Sequence, residues 1–243
     1  RILLLPLVVP GIIIVFAFVQ LYGESGMVTK TIQELFGLAE IPYRFTGLPG
    51  ILMVHAYTQY IYFYMNVSVA VKELDKSVIH AAFNLGASPF RVFYTIILPY
   101  IAPALISSGI LTFMTGIGSF SAPLIIGGSY KVLTTQILLS KANLYMDLAA
   151  AQVVVLSLFA LVYLGLSRYY ENKISFQNDL RGQAIEPLKL KNPILKTVMI
   201  FIALCIVTMI FLPIITIVVL SFVKPGTWMV EIFPSEFGLD NYI

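Results

Sequence analysis

Asp75-Lys76-Ser77-Val78-Ile79-His80-Ala81-Ala82-Phe83-Asn84-Leu85-Gly86 is followed, after nine intervening residues, by Ile96-Ile97-Leu98-Pro99. This half-polar stretch lies between two long apolar runs, Leu48–Val71 and Ile101–Phe120. A chain that leaves an apolar medium, builds something compact and returns through a proline is crossing a membrane. Working outward, Ile2–Tyr22, Leu148–Tyr169 and Thr197–Val223 are apolar runs of the same kind, which makes five in all. About 20 apolar residues at 1.5 Å per residue cross a hydrocarbon core roughly 30 Å thick. None of the five runs holds Asp, Glu, Lys or Arg in its middle, where each would cost about 2.5–3.5 kcal/mol.

Composition agrees. The chain has 243 residues, 59% of them hydrophobic and only 11% charged, with a mean hydropathy of +0.92. Soluble domains carry about a quarter charged residues. The fold class expected is therefore all-α, a polytopic transmembrane helical bundle of about five spans. The single cysteine, Cys205, rules out an intrachain disulfide. The apolar start contains Pro6 and Pro10 and has no small-residue cleavage site, so it does not read as a signal peptide. With Arg1 in place of an initiator Met and a polar ending in mid-segment, the chain reads as an internal fragment of a longer protein.

Orientation follows from the basic residues. Ten of the fifteen Lys and Arg fall at residue 1, in 72–100 or in 168–196, and five fall elsewhere. That bias places 72–100 and 170–196 in the cytoplasm, with the fragment's N-terminus inside and its C-terminus outside. The segment 172–196 is polar, basic and broken by Gly182, Pro187 and Pro193, which marks a cytoplasmic linker. It divides residues 1–171, with four spans, from 197–243, with one span and an outer segment.

The half-polar stretch has local chemistry of its own. Asp75 and Ser77 are both good N-caps for a helix reaching to about Leu85. Val78, Ala81, Ala82 and Leu85 share one face of it at i, i+3, i+4 and i+7. The alanines keep that face low. Gly86 can take the left-handed conformation that ends a helix. Ser88-Pro89 then reads as an N-cap with proline at the first helical position, opening a second helix at once. Lipid-surface helices set bulky residues against several Lys or Arg. A shallow alanine face suits a groove on another protein better.

These residues resemble the cytoplasmic signature of bacterial binding-protein-dependent ABC transporter permeases, Glu-Ala-Ala, three residues, Gly, nine residues, Ile-x-Leu-Pro. Ala81, Ala82, Gly86, Ile96, Leu98 and Pro99 occupy the signature positions, and His80 stands where the family usually has Glu. Leu3–Pro10, Gly47–Gly50, Ser119–Gly128 and Leu133–Ile137 are similar to the ferric-iron type of permease, in which two homologous halves are fused. The resemblance implies a type I importer in the bacterial inner membrane. Residues 1–171 would be the later part of the first half, with a coupling helix at about 75–87, and 197–243 would open the second half. It further implies that His80, Ala81, Ala82, Gly86, Ile96, Leu98 and Pro99 dock on a separate ABC ATPase subunit, expected as a homodimer carrying ATP and magnesium. A periplasmic or lipid-anchored solute-binding protein would deliver the solute, with 121–147 facing it. Ferric iron ranks first as solute, and polyamine, thiamine, phosphonate or sulfate are the alternatives. No Walker-type phosphate loop occurs, so the chain is read as a transport subunit and not an enzyme, with no cofactor of its own and no nucleic-acid partner.

Pathway candidates come from polar residues inside the spans. Gln59 and Asn66 share a face of Leu48–Val71 with Tyr62 near them, and Ser108, Thr112, Gly116 and Ser119 make a small-residue stripe in the next span. Intramembrane amides face the bundle interior. They either line a route for a polar solute or hydrogen-bond neighbouring helices. Of these groups Gln59, Asn66, Tyr62, Ser108 and Thr112 are the pathway-lining candidates. His55 has no Cys, Asp or second His at ligand spacing, so no metal site is expected. Two other readings remain, an ion-gradient-driven secondary transporter and a scaffolding membrane protein. The former calls for intramembrane carboxylates or basic groups, which the spans lack.

Overall fold

Proline and polar side chains decide where the apolar runs become helices. The computed structural model describes residues 2–41, 43–175, 193–224, 226–228 and 233–243. It begins with a 3₁₀ turn, Ile2–Leu7, that holds Pro6, and Pro10 then caps α1 (Gly11–Tyr22). The run expected as one span over Ile2–Tyr22 is thus broken, because neither proline has an N–H for a helical ladder. After the turn at 23–26 follow α2 (Met27–Phe36), α3 (Leu48–Glu73), α4 (Lys76–Asn84) and α5 (Pro89–Val92). A π-turn, Phe93–Ile97, leads into α6 (Leu98–Ile117), and then come α7 (Ser121–Ile126), α8 (Leu133–Ala142), α9 (Met146–Ser175) and α10 (Pro193–Ser221). Among the described residues there is no strand, only an isolated antiparallel bridge between Val223 and Phe237.

Among the described residues, four segments are long and apolar enough to cross a membrane: Gly11–Phe36, Pro89–Ile117, Met146–Tyr170 and Pro193–Ser221. The protein is therefore an all-α polytopic membrane protein. The fifth expected span, Leu48–Val71, is helical within the 26 residues of α3 and long enough, but it is not among the four. Its load of His55, Gln59, Asn66, Ser68 and several tyrosines lowers its hydropathy. The expected spans Ile101–Phe120, Leu148–Tyr169 and Thr197–Val223 correspond to α6, α9 and α10 with shifted ends. Most of the linker expected over 172–196 lies outside the described residues, including Gly182 and Pro187.

Contacts divide the chain into two units. The first, residues 1–58, 119–136 and 191–243, packs α1 against α2, α7 and α10. Its core joins Ile14, Val15 and Phe18 with Phe45, Ile51, Val54, Tyr57 and Ile126. Phe18 meets Tyr57 edge-on at 4.9 Å between ring centroids. The Tyr57 hydroxyl donates to the Ile210 carbonyl at 2.7 Å, three residues before the buried Pro213 of α10. Gly47, at φ +73, donates its N–H to the Ile126 carbonyl at 2.7 Å. The second unit, 59–118 and 137–190, packs α6 on α9, with Phe113 3.9 Å from Tyr163 between centroids. Ser140 donates to the Gln152 side chain at 3.0 Å across the α8–α9 turn.

Candidate functional site

The elbow between α3 and α6 belongs wholly to the second unit. Asp75 is the N-cap of α4, and its carboxylate accepts the Ser77 N–H at 2.8 Å. Ser77, the other candidate cap, lies inside the helix. At the far end Ala87 N–H reaches the Ala82 carbonyl at 3.0 Å and Leu85 N–H reaches Ala81 at 3.0 Å. Gly86 sits between them at φ +80. This six-to-one closure around a left-handed residue is the glycine stop. A Cβ on Gly86 would meet nothing within 4 Å, so only backbone conformation demands glycine there. Ser88 caps α5, accepting the Arg91 N–H at 3.3 Å, and Pro89 holds the first helical position.

None of the residues of α4 is buried. His80, Ala81, Gly86 and Pro99 are exposed, while Ala82, Ile96 and Leu98 are half-buried. Leu85 is 88% and Phe90 78% exposed, whereas Leu74 and Val92, on either side of the elbow, are buried. The Tyr100 hydroxyl donates to the Glu73 carbonyl at 3.1 Å, which ties the start of α6 to the last turn of α3. The result is a short two-helix projection with an apolar, open face and a firm root.

The pathway candidates gather along one seam between α3 and α6 in the same unit. Asn66 Nδ2 donates to Ser108 Oγ at 3.1 Å. Ser108 is fully buried, and its hydroxyl is 2.7 Å from the Ala104 carbonyl and 3.1 Å from the Tyr62 carbonyl. Tyr62 therefore contributes its backbone oxygen to the seam. One turn on, Thr112 Oγ1 is buried with no hydrogen-bond partner among the described residues. Gly116 leaves room for Gln59, since a Cβ there would stand 3.8 Å from the Gln59 amide nitrogen. Gln59 itself is buried. The small-residue stripe ends at Gly116, because α6 stops at Ile117 and Ser119 falls outside it. Asn66 and Ser108 thus bond adjacent helices, whatever else passes them. The partners of Ser108 on Tyr62 and Ala104 left no mark in the sequence, since carbonyl acceptors are common to every residue.

Among the described residues no three of His, Cys, Asp and Glu come together as a metal-binding group. The expected outward surface 121–147 comprises α7, α8 and a turn where Leu144 takes φ +64 and is 81% exposed.

Fold and elbow together define a polytopic helical membrane protein with one compact projection rooted in a membrane-spanning helix. Residues 1–176 match the model of the family described as "Binding-protein-dependent transport system inner membrane component", and the chain belongs to that family. It is 28% identical over 239 residues to "Probable ABC transporter permease protein y4fN" of Sinorhizobium fredii, covering 98% of this chain and 42% of that protein. "Ferric transport system permease protein FbpB" of Actinobacillus pleuropneumoniae is 31% identical over 148 residues, 61% of this chain and 21% of its own length. "Probable sulfate transport system permease protein cysT" of Chlorella vulgaris is 27% identical over 152 residues, 62% and 55% respectively. The chain spans about two fifths of the length of y4fN and about one fifth of that of FbpB.

Proposed function

We propose that the chain is part of the transmembrane permease subunit of an ATP-driven ABC importer, passing a small solute from a solute-binding protein into the cytoplasm. Residues 1–171 form the later part of one permease half, 172–196 a cytoplasmic linker, and 197–243 the start of a second half. The elbow from Asp75 to Pro99 is the handle that a separate ATPase grips, and ATP with magnesium is bound and hydrolysed there rather than here. The basic residues favour the elbow on the cytoplasmic side of a bacterial inner membrane, which leaves 121–147 on the side of the solute-binding protein.

One observation carries the reading. A helix, a left-handed Gly86 and a proline-led helix stand in signature register, with no residue of α4 buried, on the stem of a membrane span. Nucleotide-driven closure of the ATPase would favour one of two arrangements of the spans through that contact. Ferric iron is the solute favoured by the likeness to the fused two-half permeases. Polyamine, thiamine, phosphonate or sulfate are the alternatives, and the relatives' own names differ on this point.

The test uses the full-length permease co-produced with its ATPase. Gly86→Val forces a branched residue into the left-handed region, and Ala81→Trp or Ala82→Trp raises the low face. Each should reduce ATPase co-purification at least about tenfold, the equivalent of roughly 1.4 kcal/mol. Unchanged co-purification and transport in all three would end the docking proposal.

A further inference from the structure

The helix carrying α5 into α6 is unbroken. Its dihedrals stay helical at Val92 (φ −58, ψ −44), Phe93 (−59, −52), Ile97 (−67, −52) and Leu98 (−62, −46). Yet its hydrogen bonding slips at Phe93–Ile97, where the Leu98 N–H reaches back five residues to the Phe93 carbonyl. A π-turn of this kind is an α-helix that absorbs one surplus residue. Pro99 lies directly after it. It has no N–H to give the Thr95 carbonyl, and its ring would collide with that carbonyl in α register. Widening the preceding turn relieves the collision. The Thr95 hydroxyl in turn donates to the Arg91 carbonyl at 2.6 Å, which adds an acceptor bond where the ladder changes step.

An α-helix turns about 100° per residue. One absorbed residue therefore changes the rotation of everything before it, relative to α6, by an angle of that order. We propose that Pro99 is a positioning residue: by imposing the π-turn it sets the rotational phase of the α4–α5 elbow on its membrane-spanning stem. In the observed phase Val92 is turned inward, 2% exposed, and Phe90 outward, 78% exposed. With the helix running α throughout, both would lie towards the sides, and α4 would present a different face. The proposal rests on the docking reading only for what the phase is used for; the phase itself is a property of this helix.

The experiment reads that phase directly. Single cysteines replace Val92 or Phe90 in the full-length permease, assembled with its ATPase in detergent and carrying Cys205→Ala. Maleimide labelling should be about tenfold faster at position 90 than at 92, because the buried site reacts only through local opening. Pro99→Ala should bring the two rates within about threefold of each other. Deleting Thr95 in the Pro99→Ala chain removes the surplus residue and should restore the parental ratio, whereas the same deletion with Pro99 present should not. A parental ratio in Pro99→Ala alone overturns the proposal. Should Pro99→Ala fail to accumulate, the double variant decides: accumulation with the parental ratio supports it, and anything else overturns it. ATPase co-purification from the same samples separates the two claims. A parental elbow that shows the tenfold ratio while the ATPase fails to co-purify removes the docking reading and leaves the phase-setting role standing.

Discussion

The bond between Asn66 and Ser108 allows a quantitative test of how α3 is held to α6. Ser108 is completely buried and serves three partners, accepting from Asn66 at 3.1 Å and facing the Ala104 and Tyr62 carbonyls at 2.7 and 3.1 Å. Its one proton can satisfy only one carbonyl fully at a time, and the shorter contact is the local one within α6. Asn66→Leu keeps the volume and removes the amide, leaving Ser108 its bond to Ala104. Ser108→Ala deletes the hub and strands the half-buried Asn66 amide. The serine variant should therefore cost more, about 1 kcal/mol against about 0.5 kcal/mol. Interhelical bonds of this kind inside membranes average about 0.6 kcal/mol by double-mutant cycle, so the pair should be coupled by that amount, about threefold in the unfolding equilibrium. Reversible unfolding of the full-length permease in bicelles measures all four corners of the cycle. Single effects that add to within about 0.3 kcal/mol would refute the reasoning, because independent sites add that closely. So would an Asn66→Leu variant costing more than Ser108→Ala.

Three further outcomes follow from individual contacts. Asp75→Ala removes the cap on Ser77 and should destabilise α4 by about 1 kcal/mol, seen as faster amide exchange over 76–84 while α6 is unchanged; equal protection would show the cap to be idle. Tyr57→Phe deletes the buried bond to the Ile210 carbonyl and should cost about 1 kcal/mol of unfolding free energy; no loss would mean another donor takes its place. Thr112→Val should be neutral or slightly stabilising, since the hydroxyl it removes is buried without a partner among the described residues. If transport nevertheless falls while stability holds, Thr112 serves the passing solute.

The elbow was legible because its chemistry is local. Asp75, Gly86 and Ser88-Pro89 each act within four residues, and helix stops need no knowledge of the rest of the fold. Signature spacing pointed to Pro99 as well, as a docking residue and as the way back into the membrane. That the same proline widens the helix before it depends on the hydrogen-bond register, which no residue pattern announces. The break at Pro6 and Pro10 was visible as two prolines and outweighed by the apolarity around them. Over Leu48–Val71 the helix is where the apolar run predicts it, and the polar side chains that make it a pathway candidate also lower its own preference for lipid. Asn66 could be read as a helix-bonding amide, but its partner on α6 lies 42 positions away. The Tyr57–Ile210 bond spans 153 positions and had no signal at all.

That last bond has a consequence for how the polypeptide could be divided. Tyr57 is fastened to a helix that begins only at Pro193, and α1 lies along the same helix. Packing contacts, and not peptide continuity alone, then join these pieces. Two separate polypeptides, parted anywhere between 176 and 192 and made in the same cell, would still carry matching faces by which to find each other.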